Sequence, residues 1–271
     1  MQARSQQLLL VAGASVLTIV LYLAPQKVTR EASSSPVQIQ GFESQLDEAK
    51  KGLQRQEAEM ISSLESKLAN ESGNLSLMDS LGRRWDALHK PAIAAHYFEE
   101  HAIKAQEEGN WLNAAYRYFD AFQSTTDSAE RTEMVQNAIR CYENVLKKNP
   151  KNLDARTDLG VCYAEGTANP MQGIMMLREV VAENPEHENA QFNLGVLSMR
   201  SGQYEKAVER FQKVLAINPQ RKEMYLMTGR AYMMAGNNTK AAENFEKLKK
   251  ETADAALVAQ ANNYINQLSN H

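Results

Sequence analysis

The stretch NAQFNLGVLSMRSGQYEKAVERFQKVLAINP, residues 189–219, decides how this chain folds. Its apolar residues recur every three or four positions, which predicts two amphipathic helices joined at Ser201 and Gly202. Each helix carries a small residue, Gly195 or Ala207, where a large one is expected. Because Gly in a helix interior costs about 1 kcal/mol relative to Ala, its presence there indicates close packing against a neighbouring helix.

The same arrangement recurs at a period of about 34 residues, which is the signature of a repeat array. Downstream, Gly229, Ala241 and Phe245 each lie 34 residues after their counterparts in the first stretch. Upstream, matching residues occupy the same places: Gly160, Gly173, Leu177 and Pro185; Ala138, Tyr142, Val145 and Pro150; Trp111, Ala115 and Tyr118; Gly82, Ala94 and Phe98. The unit that contains Gly160 has one extra residue, in the turn EGTANPM. An insertion of eleven residues around STTDSAERTEM splits one unit, and we expect most of it to lengthen the second helix.

These residues resemble the tetratricopeptide repeat family, whose pattern places an aromatic residue, Leu-Gly and Tyr in a first helix. Ala, an aromatic residue, Ala and Pro follow in and after the second helix. The resemblance covers residues 75–255; it is strong from 153 to 255 and degenerate before 128. It implies an all-α fold, a right-handed α-solenoid of about five helix-turn-helix repeats, with four and six as alternatives. The polar-ended residues 256–271 are expected to form a C-terminal capping helix.

Ahead of the array, residues 8–24 read LLLVAGASVLTIVLYLA, and no charge occurs between Arg4 and Lys27. As a helix, this uncharged stretch would rise about 33 Å, enough to cross a hydrocarbon core of about 30 Å. We therefore predict a transmembrane anchor over residues 1–26. A cleaved signal peptide is the alternative, but Tyr22 stands where a cleavage site requires a small residue.

Residues 27–40 contain a proline and three consecutive serines without apolar periodicity, so they are expected to be a flexible linker. The charges on the two sides of the anchor, Arg4 against Lys27 and Arg30, barely discriminate between the two orientations. We favour an inside N-terminus. That orientation places the rest of this single-pass membrane protein on the exported, periplasmic or extracytoplasmic side.

Residues 41–72 carry a further apolar stripe, which predicts one amphipathic helix. The stripe shifts by one residue after Met60, and Gln56 and Ser63 occupy positions where a coiled-coil seam requires leucine. Two interpretations remain open: a short coiled coil that makes the chain a homodimer, or a helix that lies against its own array. The stripe consists of Phe42, Leu46, Ala49, Leu53, Met60, Ile61, Leu64 and Leu68.

Nothing in the sequence indicates an enzyme, a metal site or a cofactor. His96 and His101 are five residues apart and so lie on different helix faces, whereas a helical zinc site requires four; we interpret them as surface residues. Cys141 and Cys162 each fall inside a helical pattern, which favours buried, inert thiols. The net charge of −3 argues against a nucleic-acid partner.

The resemblance also implies that the first helices line a concave groove and supply its contacts at set positions. We predict a partner-binding groove of Leu112, Tyr116, Phe119, Thr157, Val161, Phe192, Val196, Met199, Arg200, Leu226, Arg230, Met233 and Met234, with Glu165, Asn189 and Glu223 at further groove positions. An apolar, methionine-rich groove with two arginines suits a peptide or helical segment. The alternative is that the methionines pack inside adjoining helices. Asn193 matches one family position for capturing chaperone carboxylates, but the lysines are absent, which disfavours that use.

Two functions fit these features. The first is a membrane-tethered scaffold whose groove binds a protein or peptide partner. An anchor ahead of such repeats is similar to accessory subunits of bacterial secretion, envelope assembly or cytochrome c maturation. The second is a structural tether that dimerises through residues 41–70 and uses the solenoid as a spacer.

Overall fold

The computed structural model describes residues 39–269, and all regular secondary structure in that range is α-helical. The expected anchor, residues 1–26, and nearly all of the linker lie outside the described residues. Backbone contacts divide the chain into Met1–Gly41 and a second compact unit that begins at Phe42. The helices are α1 (Ile39–Lys51), α2 (Arg55–Asn70), α3 (Leu75–Ala87), α4 (Pro91–Ala105), α5 (Glu108–Ser124), α6 (Ser128–Lys148), α7 (Leu153–Gly166), α8 (Pro170–Glu183), α9 (Glu188–Arg200), α10 (Tyr204–Ile217), α11 (Glu223–Met234), α12 (Asn238–Glu251) and α13 (Ala255–Ser269).

Helices α3 to α12 form five helix-turn-helix pairs, the number expected from the repeat. The two helices of each pair pack on each other, and each second helix packs against the first helix of the next pair. The all-helical repeat fold is thus confirmed for the described residues. Among the helices of residues 39–269, none combines the length and the apolar character needed to cross a membrane.

The helix ends follow from residues that the repeat keeps. Pro150, Pro185 and Pro219 each stand two residues after the last residue of a second helix, α6, α8 or α10. Proline at that place cannot continue a helix, because it lacks an N–H and restricts the residue before it. Gly202 and Gly236 make the turns inside the last two pairs with φ of 72° and 78°, a left-handed conformation that favours glycine.

Glycines of the first helices lie against large side chains of the second helices. In three pairs that side chain is a phenylalanine ring, and a Cβ atom added to the glycine would lie between 2.5 and 2.9 Å from the nearest ring carbon: Gly82 and Phe98, Gly195 and Phe211, Gly229 and Phe245. In the α7–α8 pair Leu177 replaces the ring, and a Cβ on Gly160 would lie 3.1 Å from its Cγ. The close helix approach predicted from the small residues is confirmed.

The second repeat is longer than the others, as the insertion around STTDSAERTEM predicts. Helix α5 has 17 residues and α6 has 21, whereas α7 to α12 have between 12 and 14. The excess is larger in α6, so most of the insertion does lengthen the second helix.

The prediction of one amphipathic helix over residues 41–72 is wrong, because the structure has two helices, α1 and α2. The break at residues 52–54 begins with Gly52, which has a low helix propensity. Across this break, the Lys50 ammonium of α1 lies 2.6 Å from the Glu65 carboxylate of α2. The one-residue shift in the apolar stripe therefore reflects two separate helices.

The apolar stripe of α1 and α2 packs on the chain's own first repeats. Leu46 and Ile61 are buried in the same cluster as Leu81 and Trp85 of α3. The five other members of the stripe are partly buried against that cluster, whereas Met60 remains exposed. Of the two interpretations, this packing favours the helix that lies against its own array, since the surface that a coiled coil requires is already covered.

At the other end, α13 covers the last repeat. Its Tyr264 ring stacks on the Phe245 ring with centroids 5.1 Å apart, and Ala261 is fully buried against the same cluster. The outward positions of α13 carry Asn262, Asn263 and other polar side chains. An apolar inner face with a polar outer face is what a capping helix requires.

Candidate binding groove

The predicted groove positions divide into three classes of exposure. Tyr116, Arg200 and Met234 are exposed. Three further positions are fully buried. The remaining positions are half-buried, with part of each side chain open to solvent: Leu112, Phe119, Phe192, Val196, Met199, Arg230 and Met233.

The three buried positions, Thr157, Val161 and Leu226, cannot contact a partner in this structure. The Thr157 hydroxyl donates to the Leu153 carbonyl at 2.8 Å, within its own helix. Val161 is covered by α8 and α9, where it packs in one cluster with buried leucines. Leu226 belongs to the cluster of Phe245 under α12 and α13. The family's groove positions wrongly predict these three residues to be open to a partner, because neighbouring helices cover them.

The open positions on α9 lie beside α11. Phe192, Val196 and Met199 of α9 pack against one cluster that includes Met224 of α11. Arg221, just before α11, fixes this contact from the side: its guanidinium carbon lies 4.7 Å from the Phe192 ring centroid. The same guanidinium is paired with two glutamates, so it has no free charge to offer a partner.

The two groove arginines differ in what they already bind. Arg200 of α9 forms an ion pair with Glu165 of α7 at an N–O distance of 2.9 Å, and that carboxylate is largely buried. Arg230 lies 5.8 Å from the Tyr264 ring centroid and 4.0 Å from the Met227 sulfur. No carboxylate forms an ion pair with Arg230 in the described part of the chain. Of the two, Arg230 is therefore the cation available to an acidic partner group.

A carboxyl group that the sequence interpretation missed lies beside Tyr116. The Tyr116 ring meets the Tyr142 ring edge-on with centroids 6.1 Å apart, and the Tyr142 hydroxyl is 3.3 Å from an Asp158 oxygen. Burial raises the pKa of Asp158 to about 6. One signal in the sequence could have indicated a partly buried carboxyl group here. Asp158 directly precedes the core residue Leu159, on a helix that has few solvent-exposed positions.

The histidines interpreted as surface residues include one that is packed. The His96 ring stacks on Phe42 with centroids 3.6 Å apart, which joins α1 to α4. Burial lowers the pKa of His96. In residues 39–269, no three His, Cys, Asp or Glu side chains come together in an arrangement that could hold a metal ion.

The two cysteines are buried, as predicted. Burial raises the pKa of both the Cys141 and the Cys162 thiol. A thiol with a raised pKa is a poor nucleophile, because the thiolate is the reactive form.

Known proteins share this architecture. Among curated proteins, the tetratricopeptide repeat-containing protein trd-1 of Caenorhabditis elegans is 23% identical over 141 residues, which are 52% of this chain and 16% of that protein. This chain therefore spans about a sixth of the length of that relative. A tetratricopeptide repeat protein from Parabacteroides merdae has a similar fold at 17% identity, with a TM-score of 0.56 over 85% of this chain and 93% of that one. MamA from Desulfovibrio magneticus RS-1 is similar at 20% identity, with a TM-score of 0.51 over 65% and 94%.

Family models described as tetratricopeptide repeat match residues 127–170, 167–221 and 198–262. Together these matches run without a gap over half of the chain, and helices α6 to α12 of the structure lie in the same range. The chain belongs to the tetratricopeptide repeat family.

Proposed function

We propose that this chain is a membrane-tethered scaffold whose first helices bind a peptide or helical segment of a partner protein. The observation that carries the proposal is the open apolar surface on α9 and α11. There, Met199 and Met233 are half-buried, and Met234 is 53% exposed. Arg200 and Arg230 lie on the same two helices.

The composition of this surface suits a variable apolar partner. Methionine side chains are unbranched and flexible, so they adapt to irregular apolar groups. A solenoid of helix pairs presents its first helices along one extended surface, which matches the length of a peptide or helix. Arg230, which has no ion pair in the described residues, would meet an acidic side chain of the bound segment.

The membrane tether is supported by the stretch between Arg4 and Lys27, which carries no charge and is long enough as a helix to span a bilayer. We place the repeats on the exported side, in envelope assembly, secretion or cytochrome c maturation. If the tether is correct, the full chain stays in the membrane fraction after alkaline carbonate extraction, and a chain that lacks residues 1–26 is released. Release of the full chain would contradict the membrane tether, but it would not test partner binding in the groove.

Photocrosslinking in membranes tests the groove. A photoreactive residue replaces Met234 in one variant and Ile103 in another; the two side chains are 53% and 50% exposed, but Ile103 lies on α4, a second helix. We expect a specific adduct at Met234 that Arg230→Glu weakens, and none at Ile103. Equal adducts at both positions, or none at Met234, would exclude partner binding on this surface.

A further inference from the structure

A second surface of the array carries features that the groove does not explain. It lies on α8, α9 and α10, around a cleft of about 300 Å³ between the two second helices. The floor of the cleft is apolar and consists of Ile174, Leu194 and Leu197. A cleft of this volume is at the lower limit for a small-molecule site but large enough for one apolar side chain.

Two exposed methionines of α8 lie on the helix face that also carries Ile174 of the cleft. Met171 is 59% exposed and Met175 is 55% exposed, so neither packs inside the array as the alternative interpretation of the methionines proposed. With about 100° of rotation per residue, Met171, Ile174, Met175 and Arg178 occupy one face of α8. An exposed apolar face beside a cleft is a feature of binding surfaces rather than of ordinary solvated helices.

The rim of the cleft is cationic. Arg178, Lys206 and Arg210 line it, together with one carboxylate, Glu209. Lys206 donates to Gln203 at 2.7 Å and Arg210 donates to Gln191 at 2.6 Å, so both are held by neutral amides. Within residues 39–269, none of the three cations has a carboxylate within ion-pair distance.

We infer that this outer cleft is a second docking site, for an acidic segment of a partner protein. An apolar side chain of that segment enters the cleft and rests on the two exposed methionines. Its carboxylates pair with the three cations of the rim, whose charges the array leaves unbalanced. The charge of the rim selects an acidic segment over a neutral or basic one.

Fluorescence anisotropy with the full chain tests this site. The probe is a labelled amphipathic peptide of about 14 residues, with leucines on one face and glutamates on the other; its twin has glutamine for glutamate. The variant Arg178→Glu/Lys206→Glu reverses two exposed charges of the rim. The control, Lys104→Glu/Lys148→Glu, makes the same net charge change at exposed lysines of α4 and α6.

We expect the glutamate peptide to bind the wild-type chain and the control variant with equal affinity, and the rim variant about tenfold more weakly. The glutamine peptide should bind the wild-type chain at least about fivefold more weakly than the glutamate peptide. Met171→Ser/Met175→Ser should weaken binding, and Met234→Glu in the groove should not.

Several results would overturn the proposal. They are equal binding of the two peptides, no binding of the glutamate peptide, or the same loss in the rim and control variants. Binding of phosphatidylglycerol vesicles in place of the peptide, lost in the rim variant, would assign the cleft to an anionic membrane surface. Self-association in sedimentation velocity that only the rim variant abolishes would assign it to a second copy of the chain.

Discussion

Arg140 of α6 holds the buried carboxylate of Glu99 on α4 through three hydrogen bonds, with N–O distances between 2.7 and 2.9 Å. The Tyr118 hydroxyl of α5 donates to the same carboxylate at 2.8 Å. One ion pair and one hydroxyl therefore connect the three helices of the longest part of the array.

Replacing Arg140 with methionine should lower the free energy of unfolding by about 2–4 kcal/mol, because the Glu99 carboxyl group would be left in a buried site without its cation. The matched control is Arg83→Met, which removes an exposed pair with Asp79 and should leave the free energy of unfolding nearly unchanged. Denaturant unfolding followed by circular dichroism measures both. A cost for Arg140→Met as small as that of the control would mean that the buried pair contributes nothing.

Replacing Asp158 with asparagine should stabilise the chain at neutral and higher pH. Burial raises the pKa of Asp158 to about 6, so the folded state favours the protonated carboxyl. The stabilisation from protonation is complete below about pH 4 and is lost as the pH rises through about 6. Asparagine keeps an acceptor for the Tyr142 hydroxyl without the charge, and we expect a gain of about 1–2 kcal/mol at pH 8 that vanishes near pH 4.

The pH dependence of the free energy of unfolding, measured for the wild-type chain and for Asp158→Asn, checks this expectation. Asp47→Asn, at an exposed aspartate of α1, serves as the control and should leave the profile unchanged. A gain for Asp158→Asn that is the same at pH 4 and pH 8 would point to packing rather than to the carboxyl charge.

Acidification should weaken the contact of α1 with α4 through His96. Burial lowers the pKa of His96, although the nearby carboxylates Glu100, Glu99 and Glu43 partly oppose this shift. The neutral ring is therefore favoured in the folded state, so its contribution is present above about pH 6.5 and is lost as the pH falls through the lowered pKa.

Hydrogen exchange of α1 at several pH values measures this loss directly. Protection of α1 should fall as the pH drops below about 6.5, and His96→Gln should remove this pH dependence. The control, His89→Asn, changes an exposed histidine at a positive φ that asparagine tolerates. Unaltered protection of α1 in wild type over that range would contradict the role of His96.

The features that could be predicted from the sequence are those set by local spacing. The small residues at Gly195 and Gly229 and the rings at Phe211 and Phe245 stand 16 residues apart in both pairs, so one pattern predicts the contact. The break at Gly52 was missed, because an apolar stripe looks nearly the same whether one helix or two carry it.

The candidate site was predicted less well, because it depends on contacts between helices and not on spacing within one helix. Exposure at a groove position depends on which neighbouring helices cover it, and Val161 and Arg230 hold the same position in two repeats yet differ in burial. Burial raises the pKa of Asp158, and the hydrogen bond from Tyr142, which lies on another helix, opposes that shift. Contacts between distant segments decide such features, and periodicity within one helix does not report them.

The groove and the outer cleft both depend on the stacked array of helix pairs. The central claim is that these pairs pack closely because a phenylalanine ring of the second helix lies against a glycine of the first. A double-mutant cycle at Gly195 and Phe211 tests this most directly. A methyl group on Gly195 would lie 2.6 Å from Phe211, so Gly195→Ala should cost about 1–3 kcal/mol despite the better helix propensity of alanine. Gly109→Ala, where nothing lies within 4 Å, is the control and should be neutral or stabilising.

In the cycle, Phe211→Leu should relieve most of the cost of Gly195→Ala, because a smaller, flexible side chain makes room, as Leu177 does opposite Gly160. We predict a coupling energy of about 1 kcal/mol or more from the unfolding free energies of the four chains. Additive effects within about 0.5 kcal/mol, or a Gly195→Ala variant as stable as Gly109→Ala, would contradict the nesting and the stacked array built on it.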